Sequence, residues 1–211
     1  MRKTALLILL TAILLAMAPT LAQANATLLF VPNAQTKNVG QVAQVDVYIN
    51  LNQSGAVLGD YNFGVTWNPG IASLDNLTIA PTLGDGALFE ALTSASSGAG
   101  WLTVEDTSLL LAGDLTVLQG DGTTDFLLFS FGLQGIAPGT TPLDFVPLSA
   151  IDQTQTPFIV LGDEFGTQYG LNTPQAGSIT FQGAVVPEPS AMLLLASGLS
   201  GLGLLLRRRK T

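Results

Sequence analysis

The sequence predicts an all-β domain, a β-sandwich of about nine strands. Short apolar runs recur along the middle of the 211-residue chain, and Gly, Pro, Asn and Asp separate them, which is the pattern of strands joined by turns. Residues 45–51 and 61–67 alternate apolar with polar side chains. This period of two indicates strands with one buried and one exposed face. Because no amphipathic helix is evident, we expect two sheets that pack against each other.

The run at residues 126–133 is apolar almost without interruption. Such a run is typical of a central strand that is covered on both faces. Residues 94–100 have small side chains and predict a loop, and residues 87–92 predict a helical turn. The other predicted strands are residues 27–31, 74–80, 101–105, 108–112, 141–146, 158–161 and 177–181.

The N-terminus has the pattern of a secretory signal peptide. Arg2 and Lys3 precede an apolar run at residues 5–17, and two overlapping Ala-x-Ala sequences follow at residues 22–26. Signal peptidase cleaves after small residues of this kind. The apolar run is too short for a permanent span, which needs about 20 apolar residues. We therefore predict a signal peptide at residues 1–26, a folded domain at residues 27–182, and a linker with a membrane segment at residues 183–211.

The C-terminal region contains an uncharged apolar stretch, residues 191–206, followed by a basic tail. The stretch is just long enough to form a transmembrane helix in a bilayer that thins locally. Cytoplasmic flanks of membrane helices are enriched in Lys and Arg. The tail is therefore predicted to stay in the cytoplasm, while the domain faces outwards. The tail consists of Arg207, Arg208, Arg209 and Lys210.

The charges are distributed unevenly along the chain. Six of the seven Lys and Arg residues lie in the two terminal segments, so Lys37 is the only basic residue of the predicted domain. The domain also holds every acidic residue except Glu188. Nucleic-acid binding is not expected, because phosphate contacts need Lys and Arg. The acidic surface either attracts cations or serves only solubility.

Two residue types that are common in catalysis and in zinc sites are missing. The chain has no His and no Cys, which excludes a Ser-His-Asp triad, a thiol nucleophile and the usual zinc ligands. Paired acids that hydrolyse glycosides would have to be Glu105 with Asp106, or Asp163 with Glu164. Adjacent residues of a strand point to opposite faces, so neither pair is arranged for catalysis. The sequence predicts a protein that is not an enzyme.

Acidic residues in polar loops are candidates for a calcium site. Calcium takes several oxygen ligands on a flexible loop. Residues 121–125 contain part of such a ligand set, without the pattern of an EF-hand. The residues that we expect to converge on calcium are Asp121, Asp125, Asp163 and Glu164.

Carbohydrate binding would depend on exposed aromatic residues that stack on sugar rings. Trp67 shares the phase of Phe63 and Val65 along its strand, so core packing is the stronger explanation for this residue. The aromatic candidates for carbohydrate contact are Tyr48, Trp67, Trp101 and Tyr169.

The C-terminal region closely resembles the PEP-CTERM sorting signal. It has the sequence Val-Pro-Glu-Pro-Ser at residues 186–190, then the apolar stretch and the terminal arginines. The resemblance implies that Pro187, Glu188 and Pro189 are recognised by an exosortase, a membrane-bound processing enzyme of Gram-negative bacteria that make exopolysaccharide. Two prolines hold the segment extended, so an enzyme groove binds it at a low entropic cost.

The middle of the chain resembles a cohesin-type domain. The chain has Gly40-Gln41 and Trp67-Asn68-Pro69 where the family pattern has Gly-Asp and Tyr-Asp-Pro. The resemblance implies a jelly-roll β-sandwich, related in fold to cellulose-binding modules. Cohesins of cellulosomes bind dockerins, but a shared fold does not transfer that partner. The similar segments are residues 39–51, 61–69, 128–131, 137–143 and 177–181.

These observations predict an exported, non-catalytic binding or structural module of an exopolysaccharide or biofilm matrix, anchored in the inner membrane before processing. Its ligand would be a polysaccharide or another surface protein. The alternative is a carbohydrate-binding accessory or a component of a polysaccharide-degrading enzyme. An exposed aromatic ridge would favour carbohydrate binding, and two acids about 5–9 Å apart in a cleft would favour an enzyme. A flat apolar sheet face would favour a protein partner.

Overall fold

The computed structural model describes residues 25–183, apart from residues 54, 121–123 and 156. Most of the predicted signal peptide, and all of the sorting motif, membrane helix and basic tail, lie outside these residues. Asn25 and Ala26, the last two residues of the predicted signal peptide, instead begin the first strand of the fold. Within the described part of the chain, no helix is both long and apolar enough to cross a membrane.

The first sheet has five strands in the order β11-β1-β3-β8-β5. Its strand β8 lies between β3 and β5, which confirms the prediction of a central strand at residues 126–133. The pairs along β1, β3, β8 and β5 are antiparallel, and only the short β11 pairs in parallel with β1. The bounds are β1 (Asn25–Val31), β3 (Val42–Asn50), β5 (Ala72–Ile79), β8 (Asp125–Gly135) and β11 (Gly170–Leu171).

The second sheet follows the order β2-β12-β9-β4-β7-β6, and the short β10 also pairs with β4. Strand β2 pairs in parallel with β12, whereas the other neighbours are antiparallel. The bounds are β2 (Ala34–Asn38), β4 (Asp60–Thr66), β6 (Ala91–Gly98), β7 (Trp101–Ser108), β9 (Gly139–Val146), β10 (Val160–Gly162) and β12 (Gly177–Gln182).

Aromatic side chains from both sheets meet in the core. Phe63 of β4 lies 5.8 Å from Phe129 of β8 and 5.6 Å from Phe145 of β9, measured between ring centroids. Phe30 of β1 stacks on Phe145 at 4.0 Å. Since each contact between the sheets removes apolar surface from water, these rings hold the two sheets together. The predicted all-β sandwich is confirmed.

The structure corrects three parts of the strand prediction. The described residues form twelve strands rather than about nine. Residues 94–100 were expected to form a loop, yet most of them belong to β6. Residues 108–112 were expected to form a strand, but β7 ends at Ser108 and an α-helix begins at Ala112. Strand β6 lies at a sheet edge and is almost wholly exposed, so its sequence does not alternate between apolar and polar residues. Its extended conformation is determined by pairing with β7.

The α-helix, α1 (Ala112–Gln119), covers one end of the sandwich. Only Leu115 and Gln119 of this helix are buried. The side chain of Gln119 accepts a hydrogen bond from the Leu58 backbone N–H at 2.9 Å and donates one to the Leu58 carbonyl at 2.7 Å. Two anchor residues give too weak a periodicity to reveal the helix in the sequence. The remaining helices are single 3₁₀ turns, Pro81–Leu83, Gly86–Leu88 and Leu148–Ala150.

The two ends of the described chain lie at opposite ends of the sandwich. Thr27 pairs with Asn50 at the end of β3. The Val39 N–H, shortly before the start of β3, donates to the Gln182 carbonyl. Strand β3 has nine residues, so about 27 Å separates its two ends at roughly 3.4 Å a residue. Gln182 therefore lies at the end of the sandwich opposite to Asn25.

Candidate functional site

A groove of about 200 Å³ lies on the outer face of the second sheet. Its floor is formed by β6 and β7. Its other wall is the segment of residues 147–155, which crosses over the sheet and is called the crossing segment below. The lining residues are Ser96, Trp101, Thr103 and Glu105 of the sheet, and Leu148, Ile151, Asp152 and Gln155 of the crossing segment.

The alternation of β7 places its polar residues in the groove. Leu102 and Val104 are fully buried in the core, so Trp101, Thr103 and Glu105 point to the outer face. The crossing segment is held by the buried Leu148. Ile151 then packs directly on the sheet.

A glycine of β4 makes this close packing possible. A Cβ atom at Gly64 would come within 2.6 Å of the Ile151 Cδ1 atom, which is shorter than a normal van der Waals contact. A larger residue at position 64 would therefore require the Ile151 side chain to shift. Gly64 thus allows Ile151 to pack closely on the sheet beside the groove.

Trp101 is the aromatic residue of the groove. It pairs with Gly98 across the β6–β7 hairpin, and a Cβ atom at Gly98 would lie 2.6 Å from the indole Cε2 and Nε1 atoms. The glycine lets the indole ring pack over the hairpin backbone. Trp101 stays partly exposed and borders the groove. This arrangement leaves a rigid aromatic surface for a ligand.

The groove is negatively charged. Asp152 accepts hydrogen bonds from the Thr154 backbone N–H at 2.9 Å and from its hydroxyl at 2.8 Å. These bonds, the backbone bond above all, lower the pKa of Asp152 below its usual value. Glu105 adds a second carboxylate, and Lys37 lies on β2, outside the groove lining. The field of this groove disfavours anionic ligands.

Glu105 and Asp106 point to opposite faces of the sheet, as the sequence predicted. Glu105 lies in the groove, whereas Asp106 is buried on the core side and accepts a hydrogen bond from the Thr93 hydroxyl at 2.7 Å. Burial raises the pKa of Asp106, and the hydrogen bonds from Thr93 and from the Thr107 backbone oppose the rise. Burial, with a smaller contribution from Asp106, also raises the pKa of Tyr61.

Asp106→Asn is expected to stabilise the domain at neutral pH. When folding raises the pKa of a carboxyl group, the protonated group favours the folded state at pH values below the unfolded-state pKa. This contribution is lost as the pH rises through the folded-state pKa. Ionised Asp106 is therefore a cost at pH 7. Asparagine still accepts from Thr93 but carries no charge. We expect a free energy of unfolding on the order of 1 kcal/mol higher than wild type at pH 7, with the gain shrinking towards pH 4, as measured by urea unfolding.

The exposed Asp144 provides the control for this prediction. It lies on the outer face of β9, and Asp144→Asn should leave the free energy of unfolding nearly unchanged between pH 4 and pH 7 relative to wild type. A gain for Asp106→Asn that is the same at both pH values would contradict the role of charge burial. Burial and the nearby Asp163 raise the pKa of Asp60 as well, so part of the pH dependence should remain.

The structure does not bring the four aromatic candidates to one surface. Trp101 borders the groove, whereas Tyr48 lies on β3 in the other sheet. Trp67 is only 6% exposed and its indole N–H donates to the Ala72 carbonyl at 3.0 Å. The prediction that Trp67 contacts carbohydrate is therefore corrected, because its ring serves the core.

Tyr169 is partly buried and its hydroxyl donates to the Val57 carbonyl. Burial raises the pKa of Tyr169 to about 12, and the nearby Asp163 and Glu164 contribute. The ring therefore belongs to the packing of the loop between β10 and β11, away from the groove lining.

The predicted calcium ligands are separated. Asp121 lies outside the described residues. Asp125 begins β8 of the first sheet and hydrogen-bonds Asn50, whereas Asp163 and Glu164 follow β10 of the second sheet. Among the described residues, no group of three or more acidic side chains is placed to hold a metal ion. The expected convergence of these acids is wrong for the three described residues.

Sequence reasoning missed most of the groove. The alternation of Trp101, Thr103 and Glu105 was a usable signal, because all three share one face of a strand. Ser96 was missed because its segment was taken for a loop. No local pattern shows that the crossing segment lies over β7, since that contact depends on the path of the chain between β9 and β10.

The fold is that of cohesin modules. The sixth cohesin of scaffoldin B from Acetivibrio cellulolyticus, solved in complex with a Cel5 dockerin, matches with a TM-score of 0.54 and 12% identity over 75% of this chain and 99% of its own. CaCohA2 from Clostridium acetobutylicum matches with a TM-score of 0.54 and 14% identity over 78% and 94%. The Coh-OlpC module from Clostridium thermocellum, solved with Doc435, matches with a TM-score of 0.55 and 9% identity over 77% and 96%.

The chain also carries the PEP-CTERM protein-sorting motif at residues 185–210. This match confirms the resemblance noted in the sequence and indicates an exported surface protein. No curated protein matches the sequence significantly. The chain is thus a cohesin-like β-sandwich joined to a C-terminal sorting motif.

Proposed function

We propose that this protein is a non-catalytic binding module of the extracellular matrix, which holds neutral polysaccharide in the groove beside Trp101. The observation that carries the proposal is a partly exposed indole ring on a rigid hairpin, bordered by two carboxylates and several hydroxyl and amide groups. After export and sorting, the protein acts at the cell surface or in the surrounding matrix.

The groove offers the two kinds of contact that sugars need. The face of the Trp101 ring suits the apolar face of a sugar ring. The carboxylates of Glu105 and Asp152 accept hydrogen bonds from sugar hydroxyls. The Thr103 hydroxyl, which donates to the Ser96 carbonyl at 3.3 Å, adds a further acceptor. Such convergent polar groups around an apolar surface are typical of small-molecule sites. The negative charge favours a neutral polysaccharide over an acidic one.

The sorting motif supports the export route. We infer that signal peptidase cleaves after Ala24, at the first of the two Ala-x-Ala sequences, because Asn25 and Ala26 pair with β11 in the folded domain. The apolar stretch at residues 191–206 then holds the chain in the inner membrane. An exosortase then recognises Pro187, Glu188 and Pro189 and processes the C-terminus. This sequence of events delivers an acidic, folded domain to the same compartment as secreted polysaccharide.

The alternative is a polysaccharide-degrading enzyme that uses Glu105 and Asp152. A general acid for glycoside hydrolysis works with a raised pKa, whereas hydrogen bonds lower the pKa of Asp152. Asp152 could therefore serve only as the base or nucleophile of such an enzyme, which leaves Glu105 as its general acid. Assaying reducing ends after incubation with the bound polysaccharide distinguishes the two: their release, and its loss in Glu105→Gln, would establish the enzyme.

A protein ligand is the second candidate, because relatives of this fold have been solved in complex with dockerins. A flat apolar sheet face would favour that function. The outer face here is instead polar around the groove, with Thr103, Glu105 and Ser96 on the sheet and the crossing segment over part of it. The groove therefore supports polysaccharide better than a flat protein surface.

Trp101→Ala is expected to weaken polysaccharide binding at least tenfold. The ring supplies the apolar contact, and truncation of a central aromatic hot-spot residue typically costs about 2 kcal/mol or more. This exceeds the roughly 1.4 kcal/mol that equals a tenfold change in Kd. The measurement is affinity electrophoresis or calorimetric titration of the exported protein against fractionated matrix polysaccharide from its host.

Tyr48→Ala is the matched control, since it removes a partly exposed aromatic ring from the opposite sheet. It should leave Kd unchanged. Equal losses in Trp101→Ala and Tyr48→Ala would argue against the groove. Absence of polysaccharide binding, together with capture of one host surface protein that Trp101→Ala loses, would replace the polysaccharide with a protein ligand.

A further inference from the structure

The edges of the two sheets differ in how well they are protected against pairing with another strand. Exposed sheet edges offer unpaired backbone N–H and C=O groups, and proteins block them by short length, charge, proline or a bulge. Strand β11 has two residues, and β2 has five and carries Lys37. Strand β5 carries Asp75 and has an irregular register with β8 at that residue. Three edges are therefore protected.

Strand β6 is the unprotected edge. It has eight residues, Ala91–Gly98, and all except Ala91 are exposed. It pairs with β7 in a continuous register without a bulge, and no other described strand pairs with its outer side. Its sequence, ALTSASSG, contains no charged residue and no proline. None of the usual devices stops another strand from adding there.

The charge of the domain indicates which strand adds to the outer edge of β6. The domain is acidic with a single Lys, so two copies repel each other over most of their surfaces. The stretch between Glu90 and Glu105 contains no charge at all. Within this stretch, β6 is the longest uncharged edge strand of the two sheets. Two copies that meet along β6 therefore bring no acidic side chains face to face. A basic partner would instead be drawn to the acidic surfaces elsewhere.

We propose that β6 pairs antiparallel with β6 of a second copy of this chain, around a two-fold axis perpendicular to the sheet. Such pairing is self-complementary, because the same edge is used by both copies. It joins the two second sheets into one continuous sheet. Leu92, which is 61% exposed, is then partly covered by the facing strand.

The pairing has a direct consequence for the groove. The groove residues Ser96 and Trp101 lie on the outer face of the second sheet. An axis perpendicular to the sheet places the outer faces of both copies on the same side. Two grooves therefore face one direction, and a single polysaccharide chain or mesh engages both at once, which raises the apparent affinity without any new contact. The pairing itself does not depend on what the groove binds.

Cysteine cross-linking in the complete chain tests the proposal, because the natural sequence contains no cysteine. Single cysteines are placed at each of residues 93–97 and the protein is produced in its host. Directly opposed residues of an antiparallel pair have Cα atoms about 4.5–5.5 Å apart, which a disulfide spans. We expect mild oxidation to give a covalent homodimer at one position of this range, with the yield falling towards the others.

Two controls make the result specific. Thr36→Cys places an exposed thiol on the protected edge strand β2 and should give at least tenfold less dimer. The second control adds Ser94→Lys to the cysteine variant that gives most dimer, or Ser96→Lys if that cysteine is at position 94. The dimer yield should fall at least tenfold, because lysines of the two copies would face each other across the paired β6 strands. Equal yields at β2 and β6, or no effect of the lysine, would overturn the pairing. Cross-linking of β6 to a different protein would replace the second copy with another partner strand.

Discussion

Replacing Pro187, Glu188 and Pro189 with alanine is expected to abolish C-terminal processing and leave the uncleaved chain in the inner membrane. The two prolines restrict the backbone to an extended form, whereas three alanines also permit helical backbone. The proposed exosortase would then lose both the extended shape and the carboxylate that we expect it to recognise. Intact-mass measurement of the protein from membrane and extracellular fractions of its host reads the outcome directly.

Gly183→Ala is the control for the sorting prediction. It changes the linker next to the motif, at a position where an added Cβ atom meets nothing within 4 Å. Processing should proceed as in the wild type. An uncleaved C-terminus in the wild-type protein, or normal cleavage in the triple alanine variant, would refute sorting through this triplet. Processing and polysaccharide binding are read separately, so failure of one prediction leaves the other intact.

Phe63→Ala is expected to cost about 3–5 kcal/mol of folding stability. The Phe63 ring is fully buried and contacts aromatic rings of both sheets, Phe129 at 5.8 Å and Phe145 at 5.6 Å. Its truncation removes apolar contact and leaves a cavity between the sheets. A domain typically has only 5–15 kcal/mol of stability, so the variant should lose a large part of it. The difference in denaturant midpoint at constant slope measures the loss.

Phe165→Ala is the matched control, because the same chemical change occurs at a ring that is 83% exposed. It should alter the free energy of unfolding by no more than about 0.5 kcal/mol. Similar losses in both variants would mean that the aromatic cluster does not hold the sheets together. The chain contains no cysteine, so disulfide formation does not complicate the comparison.

The strands that could be predicted are those whose own sequence shows which side chains are buried. Strands β3 and β4 alternate in burial with a period of two, and the apolar run of β8 marks the centre of its sheet. Strand β6 and helix α1 have no such pattern in their sequences. Strand β6 takes its conformation from pairing with β7, and α1 from the two residues that anchor it. Contacts between distant segments decide these elements, and local sequence does not contain them.

The two tryptophans show where site prediction succeeded and failed. Trp101 shares its face of β7 with Thr103 and Glu105, whereas Trp67 follows the buried face of β4. Phase along the strand therefore separates a ring at the surface from a ring in the core. The groove as a whole could not be predicted, because the crossing segment comes from another part of the chain and packs on the sheet beside Gly64.

The position of β12 determines how the domain responds when it is pulled. Strand β12 is the last described strand and lies between β2 and β9, with a ladder of paired residues on each side. A load on the C-terminal tether runs along the axis of this strand and across its hydrogen bonds. The two ladders are therefore sheared together rather than unzipped one bond at a time. If sorting leaves the module attached by its C-terminus, drag from flowing liquid is transmitted through two hydrogen-bond ladders loaded in shear.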